Sequence, residues 1–211
     1  MIANRIRKFI PSIFKKERQS NLMMISGATN CGSSMFTESI AKIAIENGQA
    51  VFYVSCNRRT PFAWLLGSKL KKDRLKQAYS WEPSIFSASA CGILKRANSI
   101  PNLGMIIIDG LDQMIVTRKT TNWYSKLVGE LSRYARKNNI TIITSQQIHR
   151  IRSQGAKLKM SDWEISRDVD SAFGVKTVDN RMEVKCLKRR DGLSGDSLRL
   201  SVPTLAKFVG R

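Results

Sequence analysis

The sequence predicts an α/β domain with a mainly parallel central sheet, a C-terminal β-hairpin and a short basic amphipathic helix at its start. Three observations lead there. Apolar runs at Leu22 to Ile25, Ala50 to Ser55, Met105 to Ile108 and Ile140 to Thr144 alternate with helix-like stretches, the pattern of a parallel sheet with helical crossovers. A glycine turn joins the first run to the first helix. Near the end, Met182 to Leu187 and Ser197 to Val202 flank the polar octet Lys188 to Gly195, as a hairpin requires.

With 211 residues, 42% of them hydrophobic, the chain can bury one core of its own. It divides into a basic segment at 1–19 and one domain at 20–211. Lys+Arg number 36 against 16 Asp+Glu, a formal charge of +20. A self-repelling surface of this kind gains nothing structural from its charge, so a polyanionic partner is expected, nucleic acid first and anionic membrane second. Cys31, Cys56, Cys91 and Cys186 show no CxxC spacing and no disulfide framework, which favours a reducing compartment. His149 is the sole histidine, which argues against His-rich metal sites and Ser-His or Cys-His catalysis. No apolar run approaches the roughly 20 residues that cross a bilayer. A soluble, cytoplasmic protein is expected.

In chain order, Ile2, Ile6, Phe9, Ile10, Ile13 and Phe14 recur at helical spacing among Arg5, Arg7, Lys8, Lys15, Lys16 and Arg18, with Pro11 as an interruption. Such a segment suits docking on a neighbouring subunit or partner, with an anionic membrane surface as the lesser alternative. After the first strand, Ser33 to Asn47 reads as a helix ended by Gly48. Phe62 to Gln77 reads as one or two helices carrying Lys69, Lys71, Lys72, Arg74 and Lys76. Trp123 to Asn138 reads as a helix with Leu127, Leu131, Tyr134 and Ala135 on one face. A polar, basic connection follows from His149 to Ser161, then a strand from Phe173 to Val178.

The turn Gly27-Ala28-Thr29-Asn30-Cys31-Gly32-Ser33-Ser34 lies between strand and helix, where a phosphate-binding loop belongs. It keeps both glycines and the final hydroxyl, while Ser33 stands where such a loop carries lysine. Backbone N–H groups and a helix N-terminus cradle phosphate, lysine spans the terminal phosphates and the hydroxyl holds magnesium. Gly27, Asn30, Gly32, Ser33 and Ser34 are the candidate nucleotide contacts. A plain helix-capping turn explains the same octet. Met105-Ile106-Ile107-Ile108-Asp109 has the form of the strand whose aspartate orients magnesium, which makes Ser34 and Asp109 the candidate metal ligands.

The order of these motifs resembles the motor domain of the DnaB-type replicative helicases, a branch of the RecA-like P-loop ATPases, over roughly residues 20 to 205. Ile107 to Met114 resembles that family's magnesium-site strand and following turn. Thr144-Ser145-Gln146-Gln147-Ile148-His149-Arg150 is similar to its strand ending in Ser-Gln-Leu-Asn-Arg, with Gln147 at the nucleotide-sensing glutamine. Ser161-Asp162-Trp163-Glu164 resembles its DNA-facing loop. Lys188-Arg189-Arg190-Asp191-Gly192 resembles its hairpin, in which Lys188 and Arg190 would reach a nucleotide held by the adjacent subunit. The resemblance implies a RecA-like three-layer domain, ATP with Mg as ligand, single-stranded DNA as partner, self-association or a RecA-like helicase partner, and a nucleoid-associated place in a bacterial, phage or plasmid setting.

Two departures bear on chemistry. Ser33 replaces the loop lysine, and Asn57 stands at the catalytic glutamate, where an amide cannot act as general base. No catalytic residue is expected intact, and an empty nucleotide site is the alternative to bound ATP. DNA contacts are expected from Arg118 and Lys119, from Arg150, Arg152, Lys157 and Lys159, and from Trp163 as a stacking residue. The expected function is a DNA-binding, degenerate DnaB-like pseudo-ATPase in replication, recombination or mobile-element maintenance. Two alternatives stand beside it. One is an active ATPase or helicase using a substitute cation such as Arg58 or Arg59; the other is an accessory or inhibitory partner of another ring-shaped motor.

Overall fold

The computed structural model describes residues 2–14, 21–56, 70, 72–83, 89–114, 121–147, 168–189 and 195–210. Eight strands form one sheet: β1 Asn21–Gly27, β2 Ala50–Ser55, β3 Ala78–Trp81, β4 Leu103–Asp109, β5 Thr141–Gln147, β6 Ser171–Val178, β7 Arg181–Lys188 and β8 Ser197–Ser201, in the order β3-β2-β4-β5-β1-β6-β7-β8. The first six pair with one another in parallel, and β7 and β8 add in antiparallel fashion. The helices are α1 Ile2–Phe9, α2 Pro11–Phe14, α3 Ser33–Glu46, α4 Lys72–Leu75, α5 Ala90–Ala97, α6 Thr121–Asn138 and α7 Val202–Val209, with a 3-10 turn at Leu111–Met114.

Direction of travel decides which face each helix covers. The crossovers β1-α3-β2 and β2-α4-β3 move one way across the sheet, whereas β3-α5-β4 and β4-α6-β5 move back. Right-handed crossovers therefore place α3 and α4 on one face and α5 and α6 on the other. Alternation along each strand supplies the two cores. Met23, Ile25, Val51, Tyr53, Met105, Ile107 and Ile143 face α3; Leu22, Met24, Phe52, Val54, Ile106, Ile108 and Ile142 face α5 and α6. The C-terminal hairpin read from sequence is present as β7 and β8, paired from Arg181↔Ser201 to Lys185↔Ser197. A second hairpin joins β6 to β7 through Asp179 and Asn180, both left-handed (φ 49 and 58), the backbone of a two-residue turn that follows strand twist.

Several expectations shift. The helix expected to run to Gln77 ends at Leu75, because Gln77 C=O accepts the Val51 N–H at 2.8 Å as β3 begins. Val202 opens α7 instead of closing the last strand; Pro203 is tolerated there because its missing N–H lies in the first helical turn. The apolar stripe of the N-terminal segment is buried on the chain's own domain: Ile6, Ile10 and Ile13 are 0%, 1% and 3% exposed in the core beneath α3. The face offered in the sequence to a membrane or a second protein is thus covered from within; residues 15–18 lie outside the described residues. Among the described residues no helix is long and apolar enough to cross a membrane.

Arg189 holds that segment down. Its guanidinium donates to Phe9 C=O at 2.5 Å at the end of α1, lies 3.6 Å from Asp196 and sits 5.8 Å from the Phe9 ring centre. Phe9 in turn meets Phe173 edge-on at 5.6 Å. Arg189→Ala is expected to cost about 1.5–3 kcal/mol, the scale of one charge-assisted hydrogen bond, and to speed tryptic cleavage at Arg7 and Lys8. Arg189→Lys should not rescue it, since an ammonium cannot reproduce the planar fork; limited proteolysis with a thermal melt checks both.

Candidate functional site

On the α3 side of the sheet, alternation brings Gly27, Ser55, Asp109, Ser145 and Gln147 to the carboxyl ends of β1, β2, β4 and β5. Ligands of open parallel sheets bind at such ends. α3 adds Ser34, Thr37 and Glu38 from its first turns.

The turn from Gly27 to Ser34 is shaped by close approach. A Cβ on Gly27 would stand 2.3 Å from Cys31 Sγ and 2.4 Å from Val175 O, so only glycine lets the loop fold back on β6. Gly32 is left-handed (φ 89), and a Cβ there would meet Met182 Cε at 2.3 Å. Thr177 Oγ1 donates to Cys31 C=O at 2.7 Å and Cys31 N–H donates to Ala28 C=O at 3.1 Å. Ala28, Thr29 and Asn30 remain exposed, Asn30 in the left-handed region at φ 61. Gly32 precedes α3 at its N-cap position, with no side-chain cap, and the helix carries no acidic residue in its first turn. Its leading N–H groups therefore lack a side-chain acceptor, the condition for receiving an anion.

Asp109 is 2% exposed. Its Oδ1 accepts Ser34 Oγ–H at 3.1 Å and a short hydrogen bond from Ser145 Oγ–H; Ser145 Oγ also accepts the Gly110 N–H at 2.9 Å. Octahedral magnesium with oxygens at about 2.0–2.1 Å places adjacent ligands roughly 3 Å apart, so the Ser34–Asp109 pair fits that ion. Beneath it, the Tyr53 hydroxyl lies 3.1 Å from Thr37 Oγ1. Burial, then the charges of Asp109 and Glu38, push the Tyr53 phenol well above its ordinary value and keep it protonated. Cys56, which precedes Asn57, is pushed up to about 12 by burial and by Asp109 and Asp112, so it remains an inert thiol. The Ser55 hydroxyl, in register with Asp109, is buried without a hydrogen-bond partner among the described residues.

Gln147, in register with Gly27, connects the loop to the 3-10 turn after β4. Its Oε1 accepts Thr29 Oγ1–H at 3.3 Å, and its N–H donates to Asp112 Oδ1 at 3.0 Å. The structure thus gathers Gly27, Asn30, Gly32, Ser33, Ser34, Asp109 and Gln147 around one turn. It does not bring Lys188 there within the chain. Lys188 pairs with Ala172, which pairs with Met24 in the middle of β1, and Lys188 Nζ donates to Val169 C=O at 2.6 Å. Asn57, Arg58, Arg59, Arg118, Lys119, Arg150, Arg152, Lys157, Lys159, Trp163 and Arg190 lie outside the described residues.

Sequence reasoning missed Tyr53, Thr37, Glu38 and Ser145. Thr37 and Glu38 follow Ser34 by three and four residues, one helical turn on the same face. Tyr53 is two residues before Ser55, hence on the same side of β2. Both signals become legible only once β2 is known to lie beside β4.

Chemically, the site has donors for a phosphate and oxygens for a cation, but Ser33 brings no positive charge to the loop. No protein-family model and no curated protein matches the sequence. Solved structures do. One of them, an isolated ATPase domain, superposes with a TM-score of 0.73 at 16% identity, covering 97% of this chain and 87% of that one. A DnaB-like replicative helicase, solved with its interactions with primase in view, gives 0.68 at 16% identity, over 88% of this chain and 56% of that one. The RadB recombinase gives 0.70 at 15% identity, over 90% and 91%. The chain therefore has a RecA-like P-loop fold, an eight-stranded, mostly parallel sheet between helices that resembles the DnaB motor domain.

Proposed function

We propose that this chain is a DNA-binding, RecA-fold pseudo-ATPase serving replication, recombination or the maintenance of a mobile element. The observation that carries the reading is Ser33, a neutral hydroxyl at the position from which a phosphate loop sends its lysine, inside a turn whose glycine geometry is otherwise complete. Asn57 at the place of the general base points the same way. ATP would lie with its phosphates on the leading N–H groups of α3, and Ser34 with Asp109 would hold Mg. The ion would neutralise phosphate charge there. The chain's own groups bind and orient: Gln147 and Thr29 close over the turn, and Tyr53 stays neutral beneath Asp109. Among the described residues the loop carries no cation for the terminal phosphate, and Asn57 at the place of the general base would leave water without one; each such group is worth several kcal/mol of transition-state stabilisation.

Nucleic-acid affinity rests on the +20 charge and on Arg118, Lys119, Arg150, Arg152, Lys157, Lys159 and Trp163, with self-association or a RecA-like partner completing a ring or filament. Equilibrium binding of labelled single-stranded DNA without nucleotide tests this. Binding whose log K falls linearly with log salt is expected, at a slope near about −0.7 per phosphate neutralised. Absence of binding at low salt would remove the reading.

A further inference from the structure

We propose that the outward surface of the α5–α6 layer is a second nucleic-acid site, which grips the phosphate backbone without reading bases. It uses none of the residues invoked above and needs no nucleotide.

Lys95 and Arg96 on α5, and Lys126, Arg133, Arg136 and Lys137 on α6, are all exposed, while Glu130 is the one acidic side chain within residues 89–102 and 125–140. Among the described residues, the ion pair made by this group is the loose 3.9 Å approach of Arg136 to the buried Asp170. The two helices form one surface: the Tyr134 hydroxyl donates to Asn98 Oδ1 at 2.6 Å, which sets the last turn of α5 against α6. Leu127, Val128, Leu131 and Ala135 face the core, so Lys126, Arg133 and Lys137, at offsets of seven and eleven residues, fall on the opposite stripe. That stripe runs for about 16 Å at 1.5 Å per residue, roughly five nucleotides of one strand at 3.4 Å each. At its margin the Arg96 guanidinium lies 4.4 Å over the half-buried Trp81 ring, a flat cationic platform.

Cations in a last turn complement the helix dipole, which accounts for Lys95, Arg96, Arg136 and Lys137. It does not account for Lys126 and Arg133 in the body of α6, which make no ion pair among the described residues although Glu130 lies one turn from each and the Asp168 carboxylate lies beside Gly129. Like charges closer than the Debye length of about 8 Å repel, and a polyanion removes that repulsion by releasing its counterions.

The test compares wild type with K126A/R133A/K137A and with K8A/K76A/K207A, which removes equal charge from elements of the opposite face. Thermal melts establish that both variants fold. Anisotropy titrations use labelled duplex DNA, duplex RNA and oligo-dT of unrelated contexts between about 50 and 200 mM salt, where each lost phosphate contact reduces the slope of log K against log salt by about 0.9 on a duplex. The expected result is a slope smaller by about 2–3 and binding at least about tenfold weaker at low salt for the face variant, with the opposite-face variant near wild type. The stronger of the DNA and RNA responses names the ligand. Wild-type binding by the face variant, equal weakening by both variants, or loss of a polyglutamate probe with nucleic acid retained would overturn the proposal. R118A/K119A separates the two sites: if it alone abolishes binding, the loops carry the contact and this face does not.

Discussion

Gly27→Ala is expected to destabilise the protein by about 2–3 kcal/mol, the upper range for overpacking, and to lower Tm by roughly 5–10 °C for a domain of this size. The added methyl would lie 2.4 Å from Val175 O and 2.3 Å from Cys31 Sγ. A thiol can turn aside, but a backbone oxygen in the β1–β6 register, where Gly27 faces Val175, cannot move without disturbing the ladder. Cys31→Ala added to Gly27→Ala should therefore recover only the part owed to sulfur. Chemical denaturation of the two single variants and the double variant measures the coupling.

Ser33→Lys is expected to tighten ATP·Mg binding by at least about tenfold, since a charge-assisted hydrogen bond contributes about 1.5–3 kcal/mol. Turnover should stay at background in that variant, because Asn57 cannot accept a proton from water. Ser33→Lys with Asn57→Glu should hydrolyse ATP. Calorimetry and a phosphate-release assay read the two effects separately. An unchanged affinity for Ser33→Lys would mean that the turn does not receive phosphate in this chain.

The parallel core was legible because its strands are short apolar runs separated by helix-like segments, and Gly27, Gly32, Ser34 and Asp109 were legible because loop and strand motifs fix their spacing. β3 escaped notice: four half-buried residues, Ala78–Trp81, are too few to display a period. α5 was hidden by Gly92 in its interior, although Ser89 caps it by accepting the Gly92 N–H at 3.1 Å. α7 was hidden by Pro203, which reads as a breaker anywhere but in a first turn. For the N-terminal segment, spacing gave the apolar face correctly. It did not give what covers that face, because amphipathicity defines a stripe and not its occupant; Arg189, about 180 residues away, supplies the anchor. Tyr53 and Ser145 were out of reach for a similar reason, since their approach to Asp109 depends on which strands the crossovers make neighbours.

The most direct measurement is steady-state ATP turnover by the purified chain, with and without single-stranded DNA, beside Asp109→Ala. The proposed pseudo-ATPase, with Ser33 where a phosphate loop carries lysine, should give equal, background rates for both proteins under both conditions. A wild-type rate that DNA stimulates and Asp109→Ala abolishes would contradict the account, and would place the missing charge on another residue of the chain or of a neighbouring copy.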